Sequence, residues 1–84
     1  MRVIQITLKA GENQYNTKLG APRRMVPDSF RQFGQKYTLR LVVDASVTAE
    51  PCTFSVVSLG KDATGSYLGT AGDAFLFSNC FGEV

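Results

Sequence analysis

With 84 residues and a mass of 9.1 kDa, the chain has room for one hydrophobic core, and we predict a single small domain over residues 1–84. Hydrophobic residues make up 44% of the chain and charged residues 19%. Disordered proteins contain fewer hydrophobic and more charged residues, so this composition excludes that class of protein. The formal net charge is +2, and the absence of histidine excludes the Ser-His-Asp and Cys-His sites of many hydrolases.

Several segments alternate apolar and polar residues with the period of two that a half-buried strand requires. In chain order the clear candidates cover residues 3–9, 37–44, 52–57 and 74–78, a shorter one covers 66–70, and a sixth covers 14–19. Turn-forming residues separate them at 10–13, 60–62 and 71–73. Short strands at this spacing predict a mainly β domain, a small sandwich or barrel of about five or six strands.

The stretch from residue 20 to 35 is the longest segment without a clear strand pattern. We predict at most one short helical turn in it, near 28–33, because Phe30 and Phe33 would share one face of such a turn. Long connections in compact domains often carry function. The alternative is a surface loop that only links two sheets.

Cys52 and Cys80 lack C-x-x-C spacing and follow no secretion signal, so we expect two buried thiols in preference to a disulfide. Two cysteines without histidine cannot complete a zinc site, and the carboxylates lack the Asp-x-Asp spacing of a calcium loop. We therefore predict no catalytic residues, no metal site and no cofactor, and a non-enzymatic role. A domain of this size also offers little room for a small-molecule substrate.

Charge is distributed unevenly along the chain. Residues 18–40 contain six basic residues and one acidic residue, whereas residues 41–84 contain one basic and five acidic residues. Cations interleaved with aromatic rings are typical of grooves that bind single-stranded nucleic acid, but an acidic protein surface or plain solvent would suit the same residues. The candidate partner-binding residues are Arg23, Arg24, Phe30, Arg31, Phe33 and Lys36.

The C-terminal segment is strongly apolar, and we predict that Phe75, Phe77 and Phe81 form an assembly strand. An exposed strand of this kind pairs readily with another strand edge. Within one domain the strand at 37–43 would cover it. The alternative is that a neighbouring chain completes the sheet.

These features predict an assembly or interaction protein that docks other protein subunits, in a homo- or hetero-oligomer, through the basic 18–40 region and the apolar C-terminal strand. Short length, abundant small residues and low charge give a composition that resembles small bacteriophage structural proteins such as capsid decoration or tail components. The resemblance implies a viral structural protein within a virion. The alternatives are a small barrel that binds single-stranded nucleic acid, and a phage-type inhibitor of a host protein.

No run of apolar residues approaches the length that spans a bilayer, and the N-terminal residues lack the apolar core of a signal peptide. We therefore expect synthesis in the cytosol, no membrane partner, and incorporation into a virion if the viral interpretation holds.

Overall fold

The computed structural model describes residues 1–81, which form two antiparallel β-sheets and one 3-10 turn at Thr17–Leu19. The fold is a small β-sandwich, which confirms the predicted mainly β class. The strands are β1 (Arg2–Lys9), β2 (Gly11–Gln14), β3 (Ala21–Met25), β4 (Arg31–Phe33), β5 (Lys36–Asp44), β6 (Thr53–Ser58), β7 (Ser66–Ala71) and β8 (Ala74–Ser78).

The first sheet is built around β5, which pairs with β1 along one edge and with β3 and β4 along the other. The second sheet has the order β2-β6-β8-β7. The chain passes from β1 to β2 through Ala10 alone, so one nearly continuous ribbon leaves the first sheet and enters the second. The Asn13 side chain secures this corner, since its amide accepts from the Lys9 N–H and donates to the Lys9 carbonyl.

The two sheets bury their inner faces in one core. Leu39, Leu41 and Val43 of β5 are fully buried, as their placement at every second position predicts. Phe54 of β6 and Leu76 of β8 meet them from the second sheet. Burial of each such side chain contributes about 1.5–3 kcal/mol, and this term drives the sheets together.

The helical turn predicted near 28–33 is wrong. Asp28 has a φ of 57°, which a right-handed helix does not accept, and Arg31–Phe33 pairs with β5 as strand β4. A period of two sends residues three apart to opposite faces, so Phe30 points into the core with 3% exposure while Phe33 is 66% exposed. The helical reading placed these two rings on the same face.

Other local expectations also need correction. The turn predicted at 10–13 is largely strand β2, and the strand predicted at 14–19 is largely the 3-10 turn, which the Asn16 side chain caps by accepting the Lys18 N–H. The segment at 20–35 is not one irregular connection, since it contains β3 and β4. Their apolar and polar residues alternate only weakly, so the sequence pattern does not reveal them. They form strands because β5 supplies the partners for their backbone hydrogen bonds.

Cys52 and Cys80 form a disulfide, so the expectation of two free thiols is wrong. Antiparallel pairing of Phe54 with Ser78 carries the two cysteines to facing positions, with their Cα atoms 5.1 Å apart. Side chains reinforce this end of the sheet, because the Ser78 hydroxyl donates to the Thr53 carbonyl. The cysteine spacing along the chain gave no sign of the proximity.

No helix in residues 1–81 has the length and apolarity to cross a membrane.

Candidate interaction surfaces

The outer face of the first sheet is basic. Leu39 and Leu41 point into the core, so Arg40 between them points outward, and the residues paired beside it across the strands follow the same direction. The register adds cations from all four strands of this sheet to the outward positions. We define the basic face as Lys9, Arg24, Arg31, Phe33, Lys36 and Arg40, all of which are exposed.

A cleft of about 330 Å³ lies within the basic face. Arg31, Phe33 and Arg40 line it together with Asp28, whose carboxylate offsets part of the positive charge. The Arg40 Nε donates to the Gln5 Oε1 at 3.3 Å, which holds this guanidinium beside β1. The cleft therefore offers cations beside an exposed aromatic ring, a combination that suits an anionic or aromatic partner.

The structure places some of the predicted partner-binding residues on the basic face and others elsewhere. Arg24, Arg31, Phe33 and Lys36 lie on the basic face. Arg23, which lies at a bulge in β3, is exposed and forms a salt bridge with Asp44 at 3.6 Å, so its charge is partly offset.

Phe30 is buried and stacks on Tyr37 with ring centroids 5.5 Å apart, so it cannot contact a partner. Sequence reasoning also missed Lys9, which joins the basic face through its pairing with Lys36. No sequence signal links these two residues, which lie in separate strands.

The outer face of the second sheet is acidic and aromatic. Ala74 and Leu76 of β8 point inward, so Phe75 and Phe77 point outward. Tyr67 of β7 pairs with Phe77 and packs against its ring, with centroids 5.6 Å apart. The Tyr67 ring is 55% exposed, and its hydroxyl bonds the Thr70 hydroxyl.

Two carboxylates border these rings. Glu12 of β2 pairs with Ser55 of β6. Glu12, Val57 and Asp62 all line a cleft of about 340 Å³. We define the acidic–aromatic face as Glu12, Val57, Asp62, Tyr67, Phe75 and Phe77. Tyr67 was not among the predicted site residues. A bulge at Leu68 shifts the register of β7, so the apolar–polar alternation of this strand does not reveal which side Tyr67 faces.

The prediction of an exposed C-terminal assembly strand needs two corrections. β8 is an inner strand, paired with β6 on one side and β7 on the other, so its edge is not free and β5 does not pair with it. Phe81 belongs to neither outer face, because it packs edge-on against buried Phe54 with centroids 6.0 Å apart. Glu83, counted above among the acidic residues, lies outside the described residues.

The ionisable groups with shifted pKa values stabilise the fold. Burial raises the pKa of Tyr15, whose hydroxyl donates to the Gly20 carbonyl at 2.6 Å. The pKa of Asp44 is lowered chiefly by hydrogen bonds from the Ser46 hydroxyl and amide, with a smaller effect from Arg23. The Tyr15 pKa shift thus comes from burial, whereas the Asp44 shift comes chiefly from hydrogen bonds that outweigh burial.

Within residues 1–81, no group of three or more acidic or cysteine side chains is placed to hold a metal ion. A cavity of about 420 Å³ opens where the two sheets part, and Tyr37, Lys61 and Asp73 are among its lining residues.

The surfaces with the most distinctive chemistry are the two outer faces. No family model, curated protein or solved structure matches the chain, so these faces are interpreted from their chemistry alone.

Proposed function

We propose that this chain is a non-catalytic assembly protein that docks other protein subunits through the outer faces of its two sheets, as a small structural component of a viral particle. The observation that carries the proposal is the presence of exposed aromatic rings on both faces, with Phe33 on one and Tyr67 on the other. Tyr67 lies beside the rings of Phe75 and Phe77, and a cluster of partly exposed apolar side chains marks a site that partners cover. Aromatic residues and arginine are also the residue types enriched where proteins meet.

The disulfide supports the same proposal. Disulfides persist in oxidising settings, which include virion surfaces, and are rare in proteins that remain in the cytosol. A bridge between the residues that flank β6 and β8 also suits a subunit that must keep its shape outside a cell, because it adds to the stability that a small core provides. The viral part of the proposal additionally rests on the composition described above.

The test is incorporation into a native complex. An epitope-tagged chain, produced in its own biological setting, should sediment with a large particle on a density gradient. We expect the double substitution Arg31→Glu with Arg40→Glu to move the chain to the light fractions, because it reverses the charge of the basic cleft.

The matched control is Arg2→Glu with Lys18→Glu, which makes the same change in net charge at exposed residues outside both faces. If the wild-type chain stays in the light fractions, or if the control and test variants behave alike, the proposal fails.

A second candidate function is binding of single-stranded nucleic acid, which the exposed Phe33 ring beside Arg31, Lys36 and Arg40 favours. Such a surface would let phosphates contact the cations while a base stacks on the ring. Binding of a fluorescent oligothymidine should then weaken steeply between about 50 and about 200 mM salt. Arg31→Ala with Arg40→Ala should weaken it further, whereas absence of binding at the lower salt concentration removes this candidate.

A further inference from the structure

We propose that the partner of each outer face is a second copy of this chain, with the basic face of one copy seated on the acidic–aromatic face of the next. This inference rests on the proposed assembly function and specifies its partner. The two faces lie on opposite sides of one sandwich, because each is the outer surface of a sheet whose inner surface forms the common core.

The charges favour contact between unlike faces. The basic face carries five cations, offset by the Asp28 carboxylate in its cleft, whereas the acidic–aromatic face carries the carboxylates of Glu12 and Asp62. A symmetric dimer through either face would place like charges against each other, which disfavours it. Contact between a basic face and an acidic–aromatic face places opposite charges together.

The aromatic rings of one face match the guanidinium groups of the other. Tyr67 and Phe77 present a pair of rings with partly exposed surface, and Arg31 and Arg40 present planar cations along the cleft of the basic face. Arginine stacks favourably on such rings, with energy beyond that of the charge alone. Phe33 adds an apolar ring on the basic face, and Val57 offers an apolar surface to receive it.

The geometry of this contact predicts growth. A head-to-tail interface leaves one free basic face and one free acidic–aromatic face on any open assembly, so further copies can add until a ring closes or a filament forms. The contact should also weaken with salt, since both faces are exposed and their attraction is screened. The expected products are oligomers whose size rises with protein concentration.

The test uses two purified variants with opposite defects. Arg31→Glu with Arg40→Glu reverses the charge of the cleft within the basic face, where Asp28 is the other charged residue, and Glu12→Lys with Asp62→Lys reverses the acidic–aromatic face. In sedimentation velocity at about 50 mM salt, the wild-type coefficient should rise between about 10 μM and about 1 mM protein. Each variant alone should stay monomeric, because the cleft and the acidic–aromatic face that would meet it then carry charge of the same sign.

A mixture of the two variants should associate again, because unlike charges then meet at both kinds of junction. Arg2→Glu with Lys18→Glu should associate like the wild type, and circular dichroism should show that all variants keep the β fold. A monomeric wild type over this range overturns the inference, as does a mixture that stays monomeric while both variants are folded. If the wild type is monomeric but still sediments with a native particle, the assembly function stands and its partner is a different protein.

Discussion

Removal of the Cys52–Cys80 disulfide should destabilise the protein without changing its fold. The bridge joins residues 28 positions apart, and the chain-entropy model for a loop of that length gives about 3.5 kcal/mol of stabilisation. A domain of this size has a total stability of roughly 4–13 kcal/mol, so the bridge provides a large share of it. Cross-strand hydrogen bonds between β6 and β8 remain after the change and should keep the sheet in register.

The measurement is urea unfolding of the oxidised wild type and of Cys52→Ser with Cys80→Ser, followed by circular dichroism. At a slope of roughly 1.5–2 kcal/mol per molar urea, the midpoint should fall by about 2 M. Reduction of the wild type should give a similar fall, and the same reductant should leave the double variant unchanged. A loss below about 1 kcal/mol would show that loop closure contributes little here and refute the reasoning.

Three further outcomes are expected. Tyr15→Phe should lower the free energy of unfolding by about 1–2 kcal/mol, since it leaves a buried backbone carbonyl without its donor; an unchanged urea midpoint would contradict this role. Gly65→Ala should cost more than about 2 kcal/mol, because φ is 100° there and a Cβ would lie 2.5 Å from a β8 carbonyl oxygen. Gly60→Ala is its control, with positive φ but open space around the Cβ, and equal losses would show that the close approach does not matter. The folded-state pKa of Asp44 is lowered by Ser46, so its contribution is complete above the usual pKa of 3.8 and is lost as the pH falls through the lower folded-state value. Between pH 6 and pH 3, wild-type stability should therefore fall more than that of Asp44→Asn, and parallel pH profiles would count against this hydrogen bonding.

The strands that form the core of the fold could be predicted from the sequence. β1, β5 and β6 place apolar residues at every second position, and this period of two is imposed by the pleat of a strand whatever its neighbours are. β8 is apolar at four of its five positions, which indicates a strand but does not decide which side faces the core. β7 was also found, although weakly patterned. The strands that were missed, β3 and β4, carry several exposed residues and are held by pairing with β5, which a local pattern cannot report.

The candidate site could be predicted in part. The cluster of cations in residues 18–40 indicated the basic face, and the apolar C-terminal segment indicated the rings of Phe75 and Phe77. The free strand edge expected for that segment is wrong, because β8 is paired with β6 on one side and with β7 on the other. Tyr67, Glu12 and Lys9 could not be found, since each reaches its surface only through the register of two strands.

By itself, the sequence determined that this protein is a small β domain and which side of β1, β5 and β6 faces the core, because alternation fixes direction relative to the backbone. The tertiary structure alone decided which strands lie side by side, and therefore that the cysteines meet, that Phe30 is buried while Phe33 is exposed, and that cations and carboxylates lie on opposite faces. Strand pairing joins residues far apart in the chain, and the energy that selects one register is shared among many contacts that no short stretch contains.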